Sequence, residues 1–176
     1  MYLWKFHEPT STCVLLLQIA KLAGAHVTAT CGARNIALIK SLGADEVLDY
    51  NTPEGAELQS PSGRKYDAVI HCSKYRPFSN FKPHLTKDAK VVDLTPSPKG
   101  LLTIGLQLAT LSNQRYIPFL MSANGKDLEI LTDLAKDGKL KTVVDSTFPL
   151  SRAEEAWRKQ IEGHSTGKVV VTMVGE

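Results

Sequence analysis

Hydrophobic residues follow two periodicities along this chain, one typical of buried strands and one typical of amphipathic helices. Residues 26–30 form a β-branched run, residues 35–42 carry apolar side chains at helical spacing, and residues 47–50 form a second short strand-like run. Gly43 stands where a helix C-terminal glycine belongs. Two strands joined by a crossover helix predict parallel strands and a right-handed connection.

The same alternation continues through the rest of the chain. Residues 1–6 offer a candidate strand before the unit, and the sequence leaves open whether residues 1–13 form it; a buried helix at 14–22 follows. Pro118 indicates an edge or bulge position for its strand. Ser151 and Glu154 match the Ser-x-x-Glu capping box of a last helix. The remaining predicted strands are 67–72, 89–94, 116–121, 141–148 and 168–174, and the remaining helices are 54–58, 101–112, 128–135 and 151–162. This order predicts an α/β fold with a doubly wound parallel sheet.

Composition and charge exclude several classes of function. A net charge of +3, with scattered basic residues, does not indicate a nucleic-acid-binding protein. No apolar run reaches membrane-spanning length, and the N-terminus does not resemble a signal peptide. The three cysteines have no CxxC spacing and the five histidines lie far apart, so we expect neither a disulfide framework nor a metal site. A reducing, cytoplasmic location is the default for such a chain.

The loop after the predicted strand at 26–30 is the first candidate binding site. In nucleotide-binding βαβ units an acidic residue here holds the ribose of NAD, whereas a basic residue accommodates the 2′-phosphate of NADP. This loop contains no acidic residue, so it favours a phosphate; the alternative is a solvated Arg34 near a helix N-terminus. The candidate ligands of the loop are Thr30, Cys31, Gly32, Arg34 and Asn35.

The first strand–helix turn differs from the usual dinucleotide-binding pattern. That turn normally carries GxGxxG, because the pyrophosphate approaches bare backbone at the helix N-terminus. Residues 9–14 read PTSTCV instead, and no glycine precedes Gly24, so we expect a compromised phosphate cradle. No catalytic constellation stands out, which is compatible with a cofactor that carries the chemistry itself.

The amino-acid sequences of three segments resemble one known family. QIAKLAGAHVTATCGARNIALIKSLGADEVLDY, SPSGRKYDAVIHCS and FPLSRAEEAWRKQIEGHSTGKVVVTM occur in this order over residues 18–176. Together they resemble the medium-chain dehydrogenase/reductase superfamily. Within it they are most similar to the zinc-independent quinone oxidoreductase branch, which includes plant proteins of the chloroplast envelope. The resemblance implies NADPH-dependent reduction of quinones or α,β-unsaturated carbonyls without zinc.

The resemblance also implies roles for individual residues. Arg34, Asn35 and Tyr50 would lie near the 2′-phosphate of NADPH. Cys72 and Ser73 would lie along the dinucleotide, and Thr95 would lie nearer the nicotinamide. Lys168, in the family's Gly-Lys-Val element, is a further candidate cofactor-binding residue. For Tyr50 the alternative is packing at a strand end, and for Lys168 an edge-strand charge.

The family begins with a catalytic domain that this sequence largely lacks, so we expect a truncated Rossmann-type α/β protein. We assign residues 1–140 to an NADPH-binding domain with an atypical first strand and turn, and 141–176 to a strand–helix–strand unit that packs on the catalytic domain in relatives. Apolar strands with open edges favour homo-oligomers. A chloroplast location is implied for a full-length parent protein.

Three hypotheses follow for function. The leading one is the cofactor-binding portion of an NADPH-dependent quinone or enone reductase, with weak NADPH binding and little turnover when isolated. The alternative is a non-catalytic binding or regulatory module that associates with a full-length reductase. The third is a product that does not fold stably. The residues by themselves identify no catalytic side chain.

Overall fold

A computed structural model of the chain describes residues 2–5, 11–72, 76–96, 103, 105, 113–163 and 165–173. Within these ranges the strands are β1 Tyr2–Lys5, β2 Val27–Cys31, β3 Glu46–Asp49, β4 Tyr66–His71, β5 Leu85–Asp93, β6 Arg115–Pro118, β7 Val144–Pro149 and β8 Lys168–Thr172. The α-helices in the same ranges are α1 Ser11–Leu22, α2 Ile36–Ser41, α3 Pro53–Glu57, α4 Gly125–Lys136 and α5 Ala153–Glu162. Short 3-10 turns occupy Ala33–Asn35, Phe78–Asn80, Lys82–His84 and Leu150–Arg152.

Six strands form one sheet in the order β3-β2-β1-β4-β5-β6, and every neighbouring pair is parallel. The order reverses between β1 and β4, which is the switch point of a doubly wound, Rossmann-type sheet. β2 and β3 pair directly, with Cys31 opposite Asp49, and α2 bridges them. The predicted fold class and the predicted βαβ unit are both confirmed.

β1 lies at the centre of this sheet. Tyr2 pairs with Val27 of β2 on one side and with Ala68 of β4 on the other. Among the first thirteen residues, Tyr2–Lys5 supply this strand. This strand brings the start of α1 to the carboxyl edge at the switch point.

Two hydrophobic cores cover the two faces of the sheet. In β4 the neighbouring residues Val69 and Ile70 contact different cores, as the alternation of side chains along a strand requires. The first core joins α1, α2 and β2 through Cys13, Val14, Leu17, Val27, Ala29, Cys31, Ile39 and Leu42. The second joins β4, β5 and β6 through Leu58, Tyr66, Val69, Phe81, Leu85, Ala89, Val91 and Tyr116.

β7 and β8 form a separate parallel pair that packs with α5. The side chain of Gln18 in α1 attaches this unit to the large sheet. Its Nε2 donates to the Lys141 carbonyl at 3.0 Å, and its Oε1 accepts from the Lys141 N–H at 2.7 Å. The domain boundary between residues 140 and 141 remains a prediction. The two hydrogen bonds between Gln18 and Lys141 cross this boundary.

Several predicted elements differ from the structure in detail. The capping box is wrong: α5 begins at Ala153, Arg152 occupies the cap position without a side-chain cap bond, and Ser151 lies in the preceding 3-10 turn. Glu154 instead pairs with Arg158 one turn later at 2.9 Å. β5 begins at Leu85 rather than 89, because Leu85 pairs with Tyr66 of β4 ahead of a shift in register. The predicted helix at 101–112 lies outside the described residues, apart from two isolated positions.

Candidate functional site

The predicted loop residues lie together where β2 and β3 end. Thr30 and Cys31, the last two residues of β2, are fully buried, and Arg34 is exposed on the 3-10 turn that follows. The Tyr50 N–H donates to the Cys31 carbonyl at 3.2 Å, which joins the segments after the two strands. The exposed guanidinium group is therefore carried on the carboxyl edge of the sheet, where such folds bind ligands.

Gly32 and Tyr50 are in close contact in this loop. A Cβ atom added at Gly32 would lie 3.0 Å from the Tyr50 hydroxyl oxygen, so the tyrosine ring occupies the space beside the glycine backbone. Asp49 supplies a carboxylate nearby, and its Oδ1 accepts from the N–H and the side-chain amide of Asn51, both at 2.9 Å. The loop thus combines an exposed cation, a tyrosine and a carboxylate engaged in its own turn.

Asn35 lies behind the loop and holds it from the protein interior. The residue is 4% exposed. Its N–H donates to the Gly32 carbonyl at 2.9 Å, and its Oδ1 accepts from the Thr166 hydroxyl at 3.1 Å. The Asn35 Nδ2 atom is buried without a hydrogen-bond partner among the described residues. These contacts stabilise the loop in this conformation.

A cavity of about 370 Å³ opens at the carboxyl ends of β4, β5 and β6. Of the predicted residues, Cys72 and Thr95 line it, and Ser73 lies outside the described residues. The complete lining consists of Thr12, Cys72, Leu94, Thr95, Pro96, Phe119, Leu120 and Met121. The lining is mainly apolar, and Thr12 places the first turn of α1 at its wall.

A buried carboxylate beneath this cavity was not among the predicted site residues. Asp93 is fully buried at the end of β5, and its Oδ2 accepts from the Tyr116 hydroxyl at 2.7 Å. Its Oδ1 accepts from the Thr95 N–H at 2.9 Å and from the Thr95 hydroxyl at 3.3 Å. The one sequence signal was an aspartate that ends an apolar strand. Asp93 thereby fixes the turn that carries Thr95.

The Cys72 thiol has a raised pKa. A hydrogen bond with the Cys13 thiol is the largest cause, burial adds to it, and negative charge on Asp93 acts in the same direction. A raised pKa keeps a cysteine in its neutral form near pH 7, and a neutral thiol is a poor nucleophile. Cys72 therefore lines the cavity as an apolar side chain.

The structure divides the predicted residues between two positions on one sheet edge. β1 separates the loop after β2 from the cavity after β4, and adjacent strands lie about 4.8 Å apart, so the two positions are roughly 10 Å apart across the sheet. Lys168 lies elsewhere: it is exposed at the start of β8, where its N–H donates to the Val143 carbonyl at 2.9 Å.

The described residues hold neither a metal cluster nor a membrane-spanning helix. They contain no group of three or more His, Cys, Asp or Glu side chains arranged to hold a metal ion. In the same part of the chain, no helix has the length and apolarity needed to cross a bilayer.

Known proteins with a similar sequence are oxidoreductases. The chain is 57% identical over 155 residues to the chloroplast envelope quinone oxidoreductase homologue of Arabidopsis thaliana, covering 88% of this chain and 47% of the relative. It is 32% identical over 178 residues to the mitochondrial NAD(P)H oxidoreductase RTN4IP1 of Mus musculus, covering 90% of this chain and 44% of the relative. The chain thus spans about half the length of the curated relatives it matches.

A solved structure shares the fold of this chain. The quinone oxidoreductase from Coxiella burnetii superposes with a TM-score of 0.82 at 24% identity, covering 98% of this chain and 53% of that one. A family model described as zinc-binding dehydrogenase matches residues 42–171, which is more than half of the chain. The chain therefore belongs to the zinc-binding dehydrogenase family, in the quinone oxidoreductase branch of the medium-chain dehydrogenase/reductase superfamily.

Proposed function

We propose that this chain is the cofactor-binding portion of an NADPH-dependent reductase of quinones or α,β-unsaturated carbonyls. The observation that carries the proposal is the exposed Arg34, on the loop whose Gly32 contacts Tyr50 and on the same sheet edge as the apolar cavity. A guanidinium group is well matched to a phosphate dianion, with which it forms charge-assisted hydrogen bonds. The names of the relatives, a quinone oxidoreductase homologue and an NAD(P)H oxidoreductase, support the same assignment.

The described residues fit the two ends of NADPH. Arg34 and Tyr50 would hold the 2′-phosphate end, and the cavity lined by Cys72 and Thr95 would hold the nicotinamide end. Between them, the helix α1 begins at the switch point, where its N-terminal dipole favours the pyrophosphate. The sequence PTSTCV at residues 9–14 offers no glycine there, which favours weak binding.

The chain's own residues would bind and orient the reactants. When bound, NADPH supplies the hydride. Arg34 would neutralise the 2′-phosphate, and Asp93 would hold the Thr95 turn against the nicotinamide end. The apolar walls would pack against an aromatic ring. No acid–base side chain is assigned, because the described cavity contains none with a displaced pKa apart from the Cys72 thiol.

We propose low turnover for the isolated chain. One wall of the cavity consists of Phe119, Leu120 and Met121, which are 48%, 81% and 88% exposed. A cavity that is open on one side neither excludes water nor orients a second substrate against the cofactor, and both effects contribute strongly to rate.

Isothermal titration with NADPH and NADH tests the cofactor assignment. The native chain should bind NADPH more tightly than NADH, and Arg34→Gln should weaken NADPH by roughly tenfold while leaving NADH unchanged, because it removes a charge-assisted hydrogen bond. Arg64→Gln is a matched control, since Arg64 is exposed and distant in sequence from the loop. Equal affinities for the two cofactors would refute the assignment, and steady quinone turnover would refute the proposed low activity.

A binding or regulatory module is the second candidate. It is favoured by the apolar side chains that α5 and the end of β8 expose, with Trp157, Ile161 and Met173 at 70%, 72% and 77% exposure. Such side chains are typical of interfaces. Size-exclusion chromatography with and without a full-length relative separates the candidates: co-elution supports the module, and a monomer that ignores the relative excludes it.

Self-association and location belong to the same proposal. The outer strands β3 and β6 leave two edges of the large sheet open to pairing within the described residues, which favours a homo-oligomer. Sedimentation of the chain alone measures this association.

A small-molecule quinone or enone is the proposed substrate. For a longer parent protein we propose the chloroplast, on the strength of the Arabidopsis relative's name; the cytoplasm remains the prediction from composition alone.

A further inference from the structure

A side chain of the second sheet unit, formed by β7 and β8, contacts the loop that carries Arg34. Thr166, in the turn before β8, donates its hydroxyl proton to the Oδ1 of Asn35 at 3.1 Å, across 131 positions of sequence. Thr166 is half-buried and Asn35 is almost completely buried, so water competes little for this bond. This bond links the β7–β8 unit to the loop that carries Arg34.

The position of Thr166 is itself fixed. Its N–H donates to Asp145 Oδ1 at 2.9 Å, and the Oδ2 of the same carboxylate pairs with Lys159 of α5 at 2.5 Å. Gly167 has a φ of +103°, and a Cβ there would lie 2.3 Å from the Val143 carbonyl oxygen. The turn therefore has little freedom to slide, and the Thr166 hydroxyl is presented to Asn35 from a rigid support.

Asn35 transmits this constraint to the loop. Its backbone N–H closes the turn onto the Gly32 carbonyl at 2.9 Å, and Arg34 is the residue immediately before it. Holding the side chain of Asn35 in place restricts the backbone of residues 32–35. The direction in which Arg34 leaves the sheet edge depends on that backbone.

We propose that Thr166 is a positioning residue for cofactor selectivity: it sets the geometry of the Arg34 loop through Asn35, and so favours NADPH over NADH. This inference rests on the proposed function and extends it to a residue outside the large sheet. Loss of the Thr166 hydroxyl should weaken the contact with the 2′-phosphate while leaving the features shared by the two cofactors unaffected.

The test compares the ratio of NADH to NADPH dissociation constants in four forms of the full chain, by isothermal titration. Thr166→Val keeps the shape and removes the donor, and should lower the ratio about fivefold, the value of one hydrogen bond. Thr166→Ser keeps the donor and should restore the native ratio. Thr172→Val is the matched control, because the Thr172 hydroxyl donates to the Phe148 carbonyl within the second sheet at 3.3 Å.

A purely structural role would lower thermal stability in Thr166→Val and leave the ratio unchanged, and that result would overturn the inference alone. Equal affinities of the native chain for the two cofactors would overturn both the inference and the proposed function. If Thr166→Val does not fold, Asn35→Ala removes the acceptor instead and should lower the ratio by the same factor. An Asn35→Ala chain with the native ratio would also overturn the inference.

Discussion

Cys72 shows how much one side chain's chemistry depends on neighbours that are distant in sequence. It follows β4 directly and lines the cavity, yet the Cys13 thiol of α1, its own burial and the charge of Asp93 all raise its pKa. Quinones and enones are electrophiles that react with thiolates. A thiol that stays protonated reacts slowly with electrophiles, so Cys72 is compatible with the proposed quinone or enone substrates.

Alkylation of Cys72 should therefore be slow. At pH 8 iodoacetamide should modify it at least about tenfold more slowly than free cysteine, since reaction proceeds through the thiolate. Cys13→Ala should accelerate the reaction, because it removes the largest cause of the raised pKa. The rate is followed by mass spectrometry of the Cys72 peptide. Cys31→Ala is the control and should not change it; modification of native Cys72 at the rate of free cysteine would contradict the prediction.

Residues that act through their immediate neighbours were predictable, and residues that act at long range were not. Gly32, Arg34 and Asn35 follow a strand directly, so strand order alone places them on the ligand-binding edge. Thr166 contacts Asn35 across 131 positions. A single sequence contains no signal for that contact, because nothing local distinguishes this threonine from others on the surface.

At the scale of elements, hydrophobic periodicity located the strands and helices, whereas local capping rules were less reliable. The capping box of α5 was wrong because the chain enters this helix through a 3-10 turn at Leu150–Arg152, which follows directly from the end of β7. By contrast, Pro118 lies in β6, the outer strand of the described sheet, since an edge strand tolerates a residue that has no N–H to donate.

The unit formed by β7, α5 and β8 depends on the charge of Asp145. Burial alone would raise the pKa of this carboxyl, but hydrogen bonds from Lys159 and from the Thr166 N–H lower it below 3.8. A carboxyl with a lowered pKa contributes stability that is present above pH 3.8 and is lost as pH falls through its folded-state value. The unit should therefore loosen in acid.

Urea unfolding of the native chain and Asp145→Asn checks this at pH 7 and at several values below 3.8. The variant should be less stable at pH 7, and the difference between the two proteins should shrink as the pH falls, because protonation removes the same charge. Asp133→Asn is the control, since Asp133 forms an exposed i,i+3 pair with Lys136. A difference that stays constant with pH would contradict the role of the Asp145 charge.

At the scale of the whole molecule, a few polar contacts and the packing of Val143 on the first core hold the second sheet against the first. Gln18 of α1 is 7% exposed and bonds both backbone groups of Lys141, while Thr166 bonds Asn35. The sheet order of the larger unit follows from the alternation of strands and helices. The docking of the smaller unit does not, because it depends on individual amide and hydroxyl groups.

Gln18→Ala should release the second sheet while the first remains folded. The change removes both hydrogen bonds to the Lys141 backbone, and a hydrogen bond contributes about 0.5–1.5 kcal/mol to stability. Hydrogen exchange should then become roughly tenfold faster for the amides of β7 and β8, and stay unchanged in β4 and β5. Gln59→Ala, at an exposed glutamine, is the control. Equal acceleration in all four strands would show that the two sheets unfold as one unit and that no boundary lies near residue 140.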